Sequence, residues 1–297
     1  MRTPIRYAGG KSRAHHFITS YIPFWPRPKR IISPFIGGGS LESRWASELG
    51  IPVIGYDVFW VLTNYWKHQL SNPKGLYDIL KELEPTKEQY DEIKDILLHW
   101  DRVQELFKDW KTNHYDRKSK PLDDELGAAY YWFNHNLSYG PMFLGWFSSI
   151  FMKKDSLYQN SIERVRDFNV PNLQVECGSF DETIVAHNND FLYCDPPYYM
   201  EKSDDNKMFK AIYPNSNFPV HHQNFDHKKL RDLLHSHNGQ FVLSYNDCEW
   251  VRENYKDFEM KTPEWNYSFQ AGETRVGKNR QDGNLKKDSH EILIIKL

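Results

Sequence analysis

Short apolar runs bounded by turn residues alternate along the chain with stretches in which apolar positions recur every three or four residues. "RIISPF" predicts a strand. The glycine turn "IGGGS" follows it, then a helix over roughly Leu41 to Leu49, then a second strand, "IPVIGYD", that ends in an acid. Strand, glycine turn, helix, strand is a βαβ unit, the building block of doubly wound α/β folds. From about Leu62 to Leu137 the rhythm changes to helical spacing, as at Leu80 and Leu83 or Ile93 and Leu97, interrupted by the basic loop "KTNHYDRKSKP". "NHNLSYGPMFLGWF" then mixes turn residues with aromatics. The α/β rhythm resumes with "LQVECGSF" and "DFLYCDPPY", the helix "HKKLRDLLHSHN", the strand "QFVLSYND" and the helix "EWVRENYK". "FEMKTPEW", a charged loop and the terminal strand "HEILIIKL" close the chain. The expected architecture is an α/β sheet with helices on both faces, built from residues 1–59 and 173–297. Residues 60–172 form an inserted, mainly helical region.

Composition narrows the classes. With 297 residues, the chain has room for one large domain or a core domain with a sizeable insertion. Charged residues at 26% and hydrophobic residues at 39% fit a globular protein and exclude a disordered one. Aromatic residues reach 15%, enough to serve as core or as stacking surfaces for flat ligands. The net charge of -2 excludes a globally basic coat, so any polyanion contact needs a local basic patch. The sequence has no apolar run of transmembrane length and no signal-peptide pattern. Cys177, Cys194 and Cys248 form neither a metal spacing nor an even framework, and His221-His222 sits in a polar loop without partner ligands. The expectation is an intracellular, cytoplasmic, reduced and metal-free protein, taken as a monomer by default.

Three stretches carry chemistry. In "RYAGGKSR", Gly10-Lys11-Ser12 looks like the end of a phosphate-cradling loop. The glycine that loop needs five places before Gly10 is Ile5, which argues against an NTPase. In "PFIGGGS" a glycine turn after the first strand lets a ligand approach the backbone near a helix N-terminus. The third glycine of the dinucleotide fingerprint is replaced by Glu42, which would repel a pyrophosphate, so a nucleoside without phosphate fits better. Asp57, at the end of the second strand, is placed to accept hydrogen bonds from ribose hydroxyls. In "DFLYCDPPY" a buried strand delivers Asp195 to its C-terminal edge. Pro196 and Pro197 stiffen the turn and remove backbone donors, which leaves the Pro196 carbonyl as an acceptor, and Tyr198 supplies a flat ring. Two acceptors and a stacking face suit an amino group on a planar heterocycle. Cys194 alternates to the opposite face from Asp195 and reads as core packing.

In this order, the stretches resemble the Dam-type (DPPY, alpha-class) DNA adenine methyltransferases. "RYAGGKSR" is similar to that family's N-terminal cofactor motif, "PFIGGGS" to its glycine motif and "DPPY" to its catalytic motif. "AAYYWFNHNLSYG" resembles the conserved stretch of its target-recognition region. The likeness covers nearly the whole chain. It implies a Rossmann-like methyltransferase sheet, S-adenosyl-L-methionine as methyl donor and site-specific transfer to the exocyclic amine of adenine in double-stranded DNA, with the base flipped out and stacked on Tyr198. It further implies cofactor contacts from Tyr7 (where a tryptophan is often found), Lys11, Pro34, Phe35, Gly37, Gly39, Asp57 and Asp195. Asp181 stands near Ser179, where relatives carry an acid. Catalysis falls to Asp195, Pro196, Pro197 and Tyr198. Contacts to DNA are expected from Asn136, Ser138 and Tyr139 and from three basic clusters: Lys111, Arg117, Lys118 and Lys120; Lys153, Lys154, Arg164 and Arg166; and Arg275, Lys278 and Arg280. A cognate restriction endonuclease on a separate chain is a further expected partner. Methylation of RNA or protein amines, and a non-catalytic DNA-binding module, are the alternatives that the sequence leaves open.

Overall fold

The computed structural model describes residues 2–110, 118–199, 225–262, 266–267, 287–288 and 291–297. The apolar runs become strands: β1 (Ile31–Ser33), β2 (Val53–Asp57), β3 (Leu173–Cys177), β4 (Phe191–Cys194), β5 (Phe241–Asn246), β6 (Glu259–Lys261), the two-residue pair β7 (Asn266–Tyr267) and β8 (Lys287–Asp288), and β9 (Glu291–Lys296). Seven of them form one sheet in the order β3-β2-β1-β4-β5-β9-β6. Pairing is parallel from β3 to β5, with Ile31 opposite both Val53 and Phe191. β9 runs antiparallel to β5 and to β6. Ile31 and Ile32 point to opposite faces, and each face has its own apolar layer, as expected for a parallel sheet covered on both sides.

One layer joins Ile31, Val53 and Leu173 to Tyr65, Trp66, Leu76, Tyr90, Trp132 and Tyr158 in a single continuous core. The helices between β2 and β3 therefore pack directly onto the sheet, and the Trp60–Ser71 helix lies against β3 where a crossover helix belongs. At their centre is the Asp124–Leu137 helix, buried from Gly127 to Leu137 apart from Tyr130. Asp123 caps it through the amides of Glu125 and Leu126, and Trp100 lies so close to Gly127 that an added Cβ would meet the indole at 2.4 Å. The Trp132 indole donates to the Pro4 carbonyl at 2.9 Å, which ties the N-terminal segment to this helix. On the other face, Leu230, Leu234 and Val251 pack against Ile32, Leu192 and Leu243.

The connections from β1 and β4 leave in opposite directions along the sheet, so a crevice opens at their C-terminal edge, where open α/β sheets place their ligands. The topology brings the glycine turn, Asp57 and "DPPY" to that edge. No helix among the described residues is long and apolar enough to cross a membrane.

Candidate active site

The glycine turn is held by its neighbours. Ile36 N–H donates to the Tyr56 carbonyl, Gly39 N–H to the Ile36 carbonyl, and the Trp66 indole to the Gly37 carbonyl. Gly37 and Gly39 adopt φ of +47° and +58°, where L side chains are strained. The Tyr7 ring lies on this turn: a Cβ on Gly37 would stand 2.9 Å from it, and one on Gly38 would stand 2.4 Å from Tyr7 Cβ. Tyr7 is in turn stacked on His135, with ring centroids 5.7 Å apart, and Arg6 is fixed by Asn136 through its backbone N–H (2.8 Å) and its guanidinium (2.7 Å). The sequence elements "RYAGGKSR" and "FNHNLSYG" thus form one wall.

Asp57 accepts from the amides of Phe59 (2.9 Å) and Gly37 (3.2 Å), and burial pushes its carboxyl up to about 6. Phe35, Phe180 and Phe225 form a half-buried aromatic cluster, with centroid separations of 5.0 to 5.7 Å. A carboxylate and an aromatic cluster at the same end of the parallel strands suit a ribose and its base, so the residues present fit a nucleoside ligand. Phe180 and Phe225 carry no sequence signal; only the packing reveals them. Asp181 is committed elsewhere, since Lys229 pairs with it and holds its carboxyl down to about 2.

At the end of β4, Asp195 Oδ1 lies 3.0 Å from Lys11 Nζ. The same ammonium reaches Tyr198 Oη at 2.9 Å, Glu291 Oε1 at 3.2 Å and the Gly9 carbonyl at 3.2 Å, and the Tyr198 phenol donates to Glu291. This is the ligand set of the lysine that mimics a phosphate loop: it sits among carboxylates. Tyr198, expected as a stacking face for the base, is packed into this cluster. The ring is 6% exposed, lies beside Tyr245 and has its phenol drawn inward by Lys11 and Glu291. The loop is clamped one residue on, where Asn246 exchanges hydrogen bonds with the Tyr199 backbone (2.8 and 2.9 Å) and Trp250 stacks on the Tyr199 ring at 4.4 Å.

Burial raises the Asp195 carboxyl, with Lys11 pulling the other way. It pushes Glu42, which accepts from Ser33 Oγ at 2.8 Å, and Glu291 each up to about 7. Cys194 is buried in the core, and burial raises its thiol, so it offers no nucleophile. These shifts predict a stability profile. Between the ordinary carboxylate range and about 6 to 7, Asp57, Glu42 and Glu291 hold protons in the folded state that the unfolded chain has lost, so their contribution is fully present below the ordinary range and is lost as pH rises from there through about 6 to 7. Burial lowers His135 to about 3 and His227 to about 4, so their contribution is present above 6.5 and is lost as pH falls. Scanning calorimetry should show the melting temperature falling by a few degrees between about pH 6.5 and 8, where the histidine contribution is constant, and Glu42→Gln should reduce that fall.

The inserted helices present a different surface. Residues Ser138 to Phe147 form a hairpin with two exposed aromatic rings, Tyr139 (52%) and Trp146 (80%), and the Lys94 ammonium lies 5.5 Å from the Trp146 ring centroid. Asn136 and Ser138 are buried and bonded within the protein: Ser138 Oγ accepts from Met142 N–H, and Asn136 holds Arg6 and the Trp132 carbonyl. Ser138 shapes the hairpin, Asn136 ties the N-terminal segment to the helix before it, and Tyr139 alone of the three faces solvent. Lys118, Lys120, Lys153 and Lys154 are exposed. Arg164 bonds Asn160 and Ser161 on its own helix, and Arg166 pairs with Asp167 and lies over Tyr77. Lys111, Arg117, His221, His222, Arg275, Lys278 and Arg280 lie outside the described residues. Among those described, no group of three His, Cys, Asp or Glu residues could hold a metal ion.

The sheet order, with its reversed β9 and its glycine and acid-proline turns at one edge, defines a Rossmann-like methyltransferase. The sequence model for the D12 class of N6 adenine-specific DNA methyltransferases matches residues 7–269, and the chain belongs to that family. Two relatives are similar over long stretches. The type II methyltransferase M.FokI of Planomicrobium okeanokoites is 26% identical over 226 residues, covering 71% of this chain. The type II methyltransferase M1.LlaDCHI of Lactococcus lactis subsp. cremoris is 22% identical over 297 residues, covering 96% of this chain and 93% of its own length. The chain spans about a third (31%) of the length of M.FokI.

Proposed function

We propose that this chain transfers the methyl group of S-adenosyl-L-methionine to the exocyclic amino group of adenine within a short duplex DNA sequence, with the base turned out of the helix. The observation that carries this reading is Asp195 at the switch point of the sheet, followed by two prolines and paired with Lys11 from the N-terminal segment.

S-adenosyl-L-methionine, when bound, supplies a methyl group activated by its sulfonium. Asp57 holds the ribose; Phe35, Phe180 and Phe225 hold the base; and Pro34, Gly37, Gly39 and Tyr7 shape the wall. Lys11 acts at the boundary between this site and the catalytic acid. The exocyclic nitrogen of adenine is a poor nucleophile, because its lone pair is delocalised into the ring. Asp195 and the Pro196 carbonyl accept its two N–H groups, favouring a pyramidal nitrogen whose lone pair is free. A carboxyl raised by burial also accepts the proton that the nitrogen sheds more readily than a solvated one. Pro197 keeps competing donors out of the turn. Alignment of this kind is worth roughly 7–11 kcal/mol. An amine inside a duplex cannot reach Asp195, hence the flipped base.

Residues 1–59 and 173–297 carry the cofactor and the chemistry in this reading, and 60–172 recognise the target. The exposed lysines contact phosphates. Tyr139 and Trp146 give stacking surfaces to bases. Trp146→Ala should weaken duplex binding about tenfold, leaving cofactor affinity and melting temperature unchanged, as read by fluorescence anisotropy on labelled duplex. A cognate endonuclease on a separate chain is the natural partner, since both relatives are named type II methyltransferases. Transfer of labelled methyl groups to unmethylated duplex, RNA and protein in parallel tests the substrate class. Label in duplex alone supports the reading, and label in RNA or protein alone overturns it.

A further inference from the structure

Glu291 is the first residue of β9, and all of the next four, Ile292 to Ile295, are buried apolar residues. A carboxylate there is not explained by packing, since burying an ionised group is costly unless it is paired. Its position follows from topology. β9 is antiparallel to the strands it joins, so its first residue falls where β5 ends, and Glu291 sits opposite Asn246. This one rung holds the catalytic loop at two successive residues. Glu291 takes the phenol of Tyr198, and Asn246 takes the backbone of Tyr199 in both directions. Glu291 also lies 3.2 Å from the Lys11 ammonium, whose other carboxylate partner is Asp195 at 3.0 Å.

We propose that Glu291 is a positioning residue for methyl transfer: by sharing the Lys11 ammonium and anchoring Tyr198, it keeps the Asp195 carboxylate in place and available to the target amine. The inference rests on the reading of Asp195 given above. Without the second carboxylate, the ammonium is drawn more strongly to Asp195 and competes for the lone pairs that the amine needs. Among the described residues, the titratable and charged groups around Glu291 are Lys11 from the N-terminal segment, Asp195, Tyr198 and Tyr193 from β4 and its loop, and Glu42, coupled through Asp195. Removing the negative charge of Glu291 leaves Asp195 closer to the ammonium and less opposed, so Asp195 ionises at lower pH.

The test is steady-state kinetics of Glu291→Gln and Glu291→Asp across pH. Glu291→Gln should lower kcat about tenfold or more, with KM for duplex and Kd for S-adenosyl-L-methionine within about twofold. The acid limb of its kcat profile should move to lower pH. Glu291→Asp keeps the charge and should stay within about fivefold of wild type, with the limb in place. A Gln variant with unchanged kcat and limb overturns the inference, as does one whose kcat falls with the limb unmoved. Should the Gln variant fail to fold, the Asp variant decides: restored activity supports the charge, and impairment beyond fivefold overturns it. Wild-type protein that methylates no adenine in DNA is a different result, which defeats the underlying reading.

Discussion

Asp195→Ala should abolish methyl transfer, lowering kcat by roughly 10³-fold or more, while the protein still folds and still binds S-adenosyl-L-methionine. In the proposed reading the carboxylate is the group that meets the target amine, and neither residue beside the acid-proline turn replaces it. Tyr198 is turned inward, and Cys194 faces the core. The fold survives because Lys11 keeps Glu291, Tyr198 and the Gly9 carbonyl as partners when Asp195 is removed. Asp195→Asn should fall in between, at a loss of about 10²-fold, since an amide oxygen still accepts an N–H but carries no charge. Single-turnover assays with labelled cofactor, alongside calorimetric binding, separate loss of chemistry from loss of binding.

Gly38→Ala should cost the cofactor site about 10- to 100-fold in affinity and the fold about 1–3 kcal/mol. The added Cβ would stand 2.4 Å from Tyr7 Cβ and 2.9 Å from its Cγ, against the roughly 3.5–4.0 Å at which carbons rest. These atoms are the root of the side chain, so the Tyr7 backbone itself must move. It is held by Arg6 on Asn136, by His135 under the ring and by the Trp132–Pro4 bond, all of which the shift strains. The strain has no ordinary backbone origin, because Gly38 is not among the glycines of positive φ. Gly50→Ala is the control. Its φ of +63° brings backbone strain with nothing within 4 Å of the new methyl, so it should lose stability and keep cofactor affinity. Calorimetric titration with S-adenosyl-L-methionine and a melting curve on each variant measure both effects.

Much of the frame was legible because parallel strands buried on both faces write themselves as short apolar runs. "IIS", "FLYC" and "FVLSYN" became adjacent central strands, with Asp57 and Asp195 at the edge where the sequence put them. Less legible was whatever depended on pairing between distant segments. Glu291 looks like a polar strand end until antiparallel register sets it against Asn246 and the catalytic loop. Tyr198 reads only as a flat ring for stacking, because "DPPY" reveals a turn but not the acid from β9 that draws the phenol in. Asn136 and Ser138 lie in the stretch expected to probe bases, yet in this structure Asn136 holds Arg6 and Ser138 closes the hairpin that exposes Tyr139 and Trp146. Lys11 was misleading in the opposite sense: its phosphate-loop look dissolves once carboxylates from β4 and β9 surround it.

The central claim is tested most directly by incubating the wild-type protein and Asp195→Ala with unmethylated genomic DNA and S-adenosyl-L-methionine, then mapping modified bases one by one. The account predicts N6-methyladenine at every copy of one short sequence with the wild-type protein and at none with the variant. Modification of another base, or of adenines regardless of Asp195, would contradict it.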